Sequence, residues 1–312
     1  MILRRAAAGP PARVGSVVLA SPVMLASGTA GYGAELDPYV RLASIGAIVT
    51  KSVAAFAWEG NPAPRLVPVR DGMINSVGLQ GDGIAAFVRD HLPALAACGA
   101  TVVASIWGRT VEEYAAAAAA LAPSARGLAA LEVNLSCPNL GGDHATFAHD
   151  PALTARVVDA ARVAGLPVWA KLSPATDRLV LVAGAARDAG AAAVTLINTV
   201  PAMPLDGTAG TPVLGAGRGG LSGRAIHDVA VRCVRDVRLA HPGLPIVGAG
   251  GVAEARDALD LMAAGASAVQ VGTATFADPR AARRIARDLA AWAQRRGVAD
   301  WSEVAARGLA YS

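Results

Sequence analysis

The sequence predicts an α/β chain folded as a single (β/α)8 TIM barrel with extended loops over its C-terminal face. Three observations predict it. Eight short apolar runs recur along the 312 residues. Most are separated by Ala/Leu/Arg stretches with helical spacing. The runs are continuously apolar instead of alternating, which marks parallel strands buried on both faces.

In chain order, VGSVVLASPV (14–23) reads as a hairpin closing the barrel bottom. The strand runs are PVMLASG (22–28), AIVTKS (47–52), TVVASIWG (101–108) and LEVNLSC (131–137). PVWAKLS (167–173), AAVTLINT (192–199), PIVGAGG (245–251) and AVQVGTA (268–274) follow. Helical stretches such as VEEYAAAAAALA and GRAIHDVAVRCVRDVRLA lie between them, with stops expected at Gly165, Gly190, Pro242 and Gly265. Two Gly-rich segments, 60–83 and 201–223, exceed a normal βα loop. They read as functional excursions over the barrel mouth. No linker and no repeat beyond the βα unit is visible, so residues 1–312 read as one domain.

Composition narrows the function classes. Apolar residues make up 54% of the chain, enough for a large core. No stretch of about 18 residues is free of breakers and charges, so no membrane span is expected. Arg4 and Arg5 are followed by Gly9, Pro10, Pro11 and Arg13 instead of an apolar segment, which argues against a secretory signal. Cys98, Cys137 and Cys233 form no metal-ligand spacing, which fits a reducing cytoplasm and no metal. Cys98 and Cys233 read as small buried core residues. The net charge is +4, with arginines spread along helices. No basic block is interleaved with aromatics, so nucleic acid is not the expected partner; a basic surface favours small anions or an acidic protein.

In a barrel the C-terminal strand ends form the site. Here they offer Ser27, Lys51, Ser105, Asn134 with Cys137, Lys171, Asn198 with Thr199, Gly250 with Gly251, and Gly272 with Thr273. The glycines of the last two runs, with the helix starts after them, predict a phosphate cradle. Lys51 and Lys171 then suit a flavin mononucleotide, because a cation near the ring stabilises its reduced anion. Lys171 could instead form an imine, as in an aldolase. Asn75, Asn134, Asn139 and Asn198 should converge, and amides suit a ring of alternating C=O and N–H groups. Cys137, between Ser136 and Pro138, could accept a proton as a thiolate.

NLSCPN (134–139), with GMINSVGL upstream and KLSP, INT, GGLSG, GAGG and VGTA downstream in that order, resembles class 1 dihydroorotate dehydrogenase. The likeness runs from about residue 15 to 280. Class 2 members carry serine where this chain has Cys137. LGGDHATFAHDP (140–151) is closer to the class 1B catalytic subunit than to class 1A. The resemblance implies an FMN barrel that oxidises dihydroorotate to orotate in pyrimidine biosynthesis. Cys137 would take the C5 proton while a hydride leaves C6 for the flavin. Lys51, Asn75, Ser76, Val77, Gly78, Leu79, Asn134, Asn139, Asn198 and Thr199 would hold the substrate. Ser27, Lys51, Ser52, Ser105, Asn134, Lys171, Ile197, Gly223, Gly250, Gly251, Gly272 and Thr273 would hold FMN.

Class 1B subunits pair with an iron–sulfur/FAD subunit and pass electrons to NAD. Three scattered cysteines cannot bind a cluster, so such a partner is expected, around a homodimer core. The chain departs from the family pattern at Ser105 and Gly81, where asparagine is usual, and at VPAMPLDG (200–207), where a Gly-Met pair is usual. A related enzyme acting on another dihydropyrimidine is the runner-up. A catalytically idle flavin-binding subunit is a further alternative from a different class.

Overall fold

The computed structural model describes residues 9–136 and 146–310. Strands β1 (Ala12–Val14) and β2 (Val17–Leu19) form an antiparallel hairpin that starts two residues before the expected stretch 14–23, whose last residue already belongs to the barrel. The chain then runs through β3 (Val23–Leu25), β4 (Ala47–Val49), β5 (Leu66–Val69), β6 (Gly72–Asn75), β7 (Val102–Ile106) and β8 (Ala130–Asn134). It continues through β9 (Val168–Leu172), β10 (Ala193–Leu196), β11 (Val200–Ala202), β12 (Gly219–Ser222), β13 (Ile246–Ala249) and β14 (Ala268–Val271). Eight of these close a parallel barrel in the order β3-β4-β7-β8-β9-β10-β13-β14, with β14 paired back onto β3. They are the eight apolar runs read from the sequence. The runs do not alternate because helices cover the outer face while the barrel interior fills the inner one; every residue of β7 and of β9 is buried.

Helices start and stop where local chemistry dictates. Thr110 caps Val111–Leu121 by accepting from the Glu113 N–H at 3.2 Å. Asp150 accepts from the Ala152 and Leu153 N–H groups ahead of Pro151, the first residue of Pro151–Ala161. That helix buries Thr154, Val157, Val158 and Ala161, one stripe at helical spacing. Gly265 ends Ala255–Ala264, and Pro242 follows His227–Ala240. The alternation is incomplete after β3, where only the short turns Ala34–Leu36, Asp37–Val40 and Leu42–Ser44 precede β4. The long helix after the last strand, Ala281–Arg296, packs against β3 instead. Among the described residues no helix is long and apolar enough to cross a membrane. Cys233 is fully buried as expected, whereas Cys98 is only half-buried, because it sits at the C-terminal end of Leu92–Ala97.

The two Gly-rich excursions do more than loop. Segment 60–83 supplies β5 and β6, and segment 201–223 supplies β12 and all but the first residue of β11. Together they form one antiparallel sheet in the order β11-β12-β6-β5. Gly220 pairs with Asn75, Leu221 with Ile74 and Ser222 with Met73. The glycines are there for closeness of approach. A Cβ on Gly72 would lie 2.1 Å from the Ser222 carbonyl oxygen, and one on Gly219 would lie 2.2 Å from that of Asn75.

Gly72→Ala should therefore strain the β6–β12 junction and lower stability by roughly 1–3 kcal/mol, the usual cost of overpacking. Gly243→Ala, where an added Cβ meets nothing within 4 Å, is the control. Thermal unfolding followed by circular dichroism should show a lower midpoint for the first variant and no change for the second.

Candidate active site

The C-terminal ends of the barrel strands and the antiparallel sheet enclose a cavity of about 950 Å3. Of the residues expected from sequence, Ser27, Lys51, Ser52, Asn75, Val77, Gly78, Leu79, Asn134, Lys171, Ile197, Asn198, Thr199, Gly223, Gly250, Gly251, Gly272 and Thr273 all line it. Two do not. Ser105 is fully buried in β7, and its hydroxyl lies 2.8 Å from that of Ser52, which stands between it and the cavity. Ser76 turns its hydroxyl to the Asn61 side-chain amide, which donates to it at 2.9 Å, so it braces the loop instead of facing the cavity. Cys137 and Asn139 lie outside the described residues.

One wall is a relay of small polar groups. The Asn198 Nδ2 donates to Asn134 Oδ1 at 3.0 Å, and the Thr199 N–H donates to Asn198 Oδ1 at 2.8 Å. Asn134 Nδ2 points at the Ser52 hydroxyl at 3.4 Å, and the Tyr114 hydroxyl donates to the Asn134 carbonyl. These bonds fix which way each amide faces. Asn75 is anchored across the excursion sheet, donating to the Gly220 carbonyl at 3.2 Å. The loop after β6 is pinned by the Trp58 indole N–H, which donates to the Gly78 carbonyl at 3.0 Å. Arg65 braces the same loop, donating to the Glu59 and Asn61 carbonyls and to Gln80.

Lys51 is the half-buried cation of this wall. Burial first, and then the positive charge of Arg65, push its ammonium below the ordinary lysine range. Among the described residues its ammonium has no hydrogen-bond or ion-pair partner, so it is available to an anion in the cavity. Lys171 is different. It is 7% exposed, and its ammonium donates to Gln270 Oε1 at 3.3 Å and lies 3.8 Å from Glu132 Oε1. Gln270 lines the cavity floor and the fully buried Glu132 lies behind it; neither is among the residues expected from sequence. The signal was present for Glu132, a charge inside an otherwise apolar strand.

The far end of the cavity is a glycine cradle. Gly223, Gly250 and Gly251 have φ values of 97°, 135° and 70°, which side-chain-bearing residues rarely adopt. A Cβ on Gly250 would lie 2.6 Å from Ala230 Cβ, and one on Gly251 would lie 2.6 Å from His227 Cβ. Among the described residues the N–H groups of Gly250, Gly251, Gly272 and Thr273 make no hydrogen bond to backbone. Such amides suit a phosphate. A helix start follows each of the two glycine endings. Asp257 already accepts from the Ala253 and Glu254 N–H groups at 2.8 Å each, and the helix after Thr273 is only Ala274–Ala277. Ser222 and Thr273 add hydroxyls, joined at 2.8 Å, and the buried Thr29 hydroxyl has no hydrogen-bond partner among the described residues.

The sequence model of the dihydroorotate dehydrogenase family matches residues 12–292. The chain belongs to this family. It is 47% identical over 292 residues to a catalytic subunit of dihydroorotate dehydrogenase B (NAD(+)) from Desulforudis audaxviator, covering 93% of this chain and 94% of that one. A protein of the same name from Geobacter sp. strain M21 is 46% identical over 277 residues, covering 88% of this chain and 90% of that one. A relative from Solibacter usitatus, named a putative dihydroorotate dehydrogenase A (fumarate), is 44% identical over 283 residues, covering 90% and 92%. The cofactor of the class 1B catalytic subunits is FMN, and the residues present fit it: a buried cation on the floor, an amide wall, and a cradle that a Cβ at Gly250 or Gly251 would crowd.

Gly251→Ala should lower FMN affinity by about tenfold or more, equivalent to about 1.4 kcal/mol, because its Cβ would push on His227 at a φ that alanine tolerates poorly. Quenching of FMN fluorescence on titration into apoprotein measures it.

Proposed function

We propose that the chain oxidises dihydroorotate to orotate in de novo pyrimidine biosynthesis, as the catalytic subunit of a class 1B dihydroorotate dehydrogenase. Membership of the family supports the activity. The observation that carries the residue assignments is the amide wall: Asn134 and Asn198, locked to each other at 3.0 Å, face the cavity beside a lysine with no partner among the described residues. FMN, when bound, supplies the hydride acceptor.

The rest is work for the chain's own side chains. Lys51 meets the substrate carboxylate with its ammonium. Asn75, Asn134 and Asn198 read the alternating donors and acceptors of the ring, with Thr199 and the stretch Val77 to Leu79 closing around it. Their amides are already oriented by protein hydrogen bonds, so little ordering is left to binding. Cys137, three residues beyond Asn134 in the motif, accepts the C5 proton as its thiolate. Lys171 holds positive charge beneath the cofactor, and the cradle of Gly250, Gly251, Gly272 and Thr273 holds the phosphate. Family membership removes the aldolase reading of Lys171, and dihydroorotate in the relatives' names leaves the runner-up dihydropyrimidine without support.

Two of the named relatives are catalytic subunits of the NAD type, which supports an iron–sulfur/FAD partner that carries electrons to NAD. The three scattered cysteines support the same need. The assembly we propose is cytoplasmic and built on a homodimer core. Exposed Leu66, Met203 and Leu205, on or beside the excursion sheet, offer apolar surface for subunit contact.

Cys137→Ala should keep FMN but slow its bleaching by dihydroorotate by roughly 10²–10⁴-fold, or about 3–5 kcal/mol, the usual loss of a general base. Anaerobic stopped-flow absorbance measures this, with Cys98→Ala and Cys233→Ala as controls. Bleaching within a few-fold of the unaltered protein would place the base elsewhere.

The isolated chain, given dihydroorotate, should reduce an artificial dye but not NAD. Steady-state assays with dye, NAD and fumarate decide it. Efficient NAD reduction without a partner, or fumarate reduction, would replace the class 1B assignment.

A further inference from the structure

Below the amide wall the barrel axis holds a charge pair that the proposed chemistry leaves half unused. Glu132 projects from β8 and is fully buried. Its Oε2 accepts from the Gln270 side-chain amide and from the Thr195 hydroxyl, each at 2.8 Å. Its Oε1 has no hydrogen-bond partner among the described residues and faces the Lys171 ammonium at 3.8 Å. Gln270, on β14, joins the two charges: Nε2 donates to Glu132, and Oε1 accepts from Lys171 at 3.3 Å. The amide has one workable orientation. Turned over, it would set its oxygen against a carboxylate and its NH2 against an ammonium. Lys171 and Gln270 line the cavity; Glu132 does not.

A buried carboxylate is costly, and Thr195 and Gln270 would be satisfied as well by a neutral amide at position 132. A floor meant only to place a cation under the cofactor would not need an anion behind it. What the anion changes is the field. A lone ammonium acts on the cavity as a full charge, whereas an ammonium with a carboxylate 3.8 Å behind it acts as a dipole, whose influence falls faster with distance.

We propose that Glu132 is a positioning and tuning residue: through Gln270 it holds the Lys171 ammonium at the cavity floor, and its charge offsets part of the stabilisation that Lys171 gives to reduced FMN. This rests on the FMN reading above. The consequence is a lower flavin potential than Lys171 alone would set. Reduced flavin then passes electrons onward more readily, which suits a chain whose electrons must leave for another centre.

The test is spectroscopic and needs no turnover. The two-electron midpoint potential of bound FMN and its affinity for sulfite, an anion that adds to oxidised flavin more tightly when positive charge is nearby, are measured in four proteins. These are the unaltered chain, Glu132→Met, Lys171→Met and the double variant. Removing Glu132 should raise the potential by about 30 mV or more, a tenfold shift in the two-electron equilibrium, and should tighten sulfite by a similar factor. Removing Lys171 should move both the other way. The double variant, neutral like the original pair, should return to within a few-fold of the unaltered chain. If Glu132→Met does not fold, the comparison of Lys171→Met with the double variant still decides. Equal potentials in those two, or an unchanged potential in Glu132→Met, would overturn the proposal and leave Glu132 a structural group. Failure of the unaltered chain to bind FMN would instead overturn the functional reading.

Discussion

Closure of the barrel is the constraint from which everything else follows. Once β14 pairs with β3, with Val269 opposite Val23 and Gln270 opposite Met24, no strand has a free edge, and all eight run the same way. Every strand therefore opens at one mouth, and only alternate residues of each strand reach the axis. Asn134 and Glu132 are two residues apart on β8 and so share the inward face, Asn134 at the mouth and Glu132 one layer below. Lys171 lies opposite Asn134 on one side and opposite Thr195 on the other. The amide wall and the charged floor are thus two successive layers of the same packing that makes the barrel stable.

The floor layer is an exception within that packing. Barrel interiors are usually filled by branched aliphatic side chains. Here a layer is given to glutamate, lysine, glutamine and threonine, all buried. Replacing a buried ion pair with well-packed apolar residues is often neutral or stabilising. A chain that keeps the pair therefore holds it for its field and its geometry. Stability in this barrel is supplied by the other layers and by the helix stripes outside, which leaves the floor free to serve the cavity.

Much of this was legible in the residues. The eight strands stood out because burial on both faces makes a parallel strand continuously apolar, a signal that needs no partner to be seen. Lys51, Asn134 and the glycines of the last two strands stood out because polar or glycine endings on such runs have few structural reasons. Ser105 sits behind Ser52, a depth along the axis that an apolar run does not show. The strands Leu66–Val69 and Gly219–Ser222 were hidden for another reason. One contains Pro68 and pairs with its hairpin neighbour Gly72–Asn75; the other is half glycine and pairs with that same strand from far away in sequence. Gln270 was hidden because a glutamine in a strand is locally unremarkable, and its meaning comes only from Glu132 and Lys171 across the barrel.

The sheet that joins the two excursions has a consequence for how this protein can vary. Asn75 and Gly220 sit 145 residues apart, yet each is shaped to the other's backbone. Each segment pairs within itself, β5 with β6 and β11 with β12, but only the β6–β12 pairing joins the two into one sheet. A segment transplanted alone from a relative would meet a counterpart cut to a different outline, and the mouth would lose its roof. Changes in the two segments are therefore expected to be inherited as linked pairs. Any redesign of what enters this cavity must exchange both segments together, as a single discontinuous module.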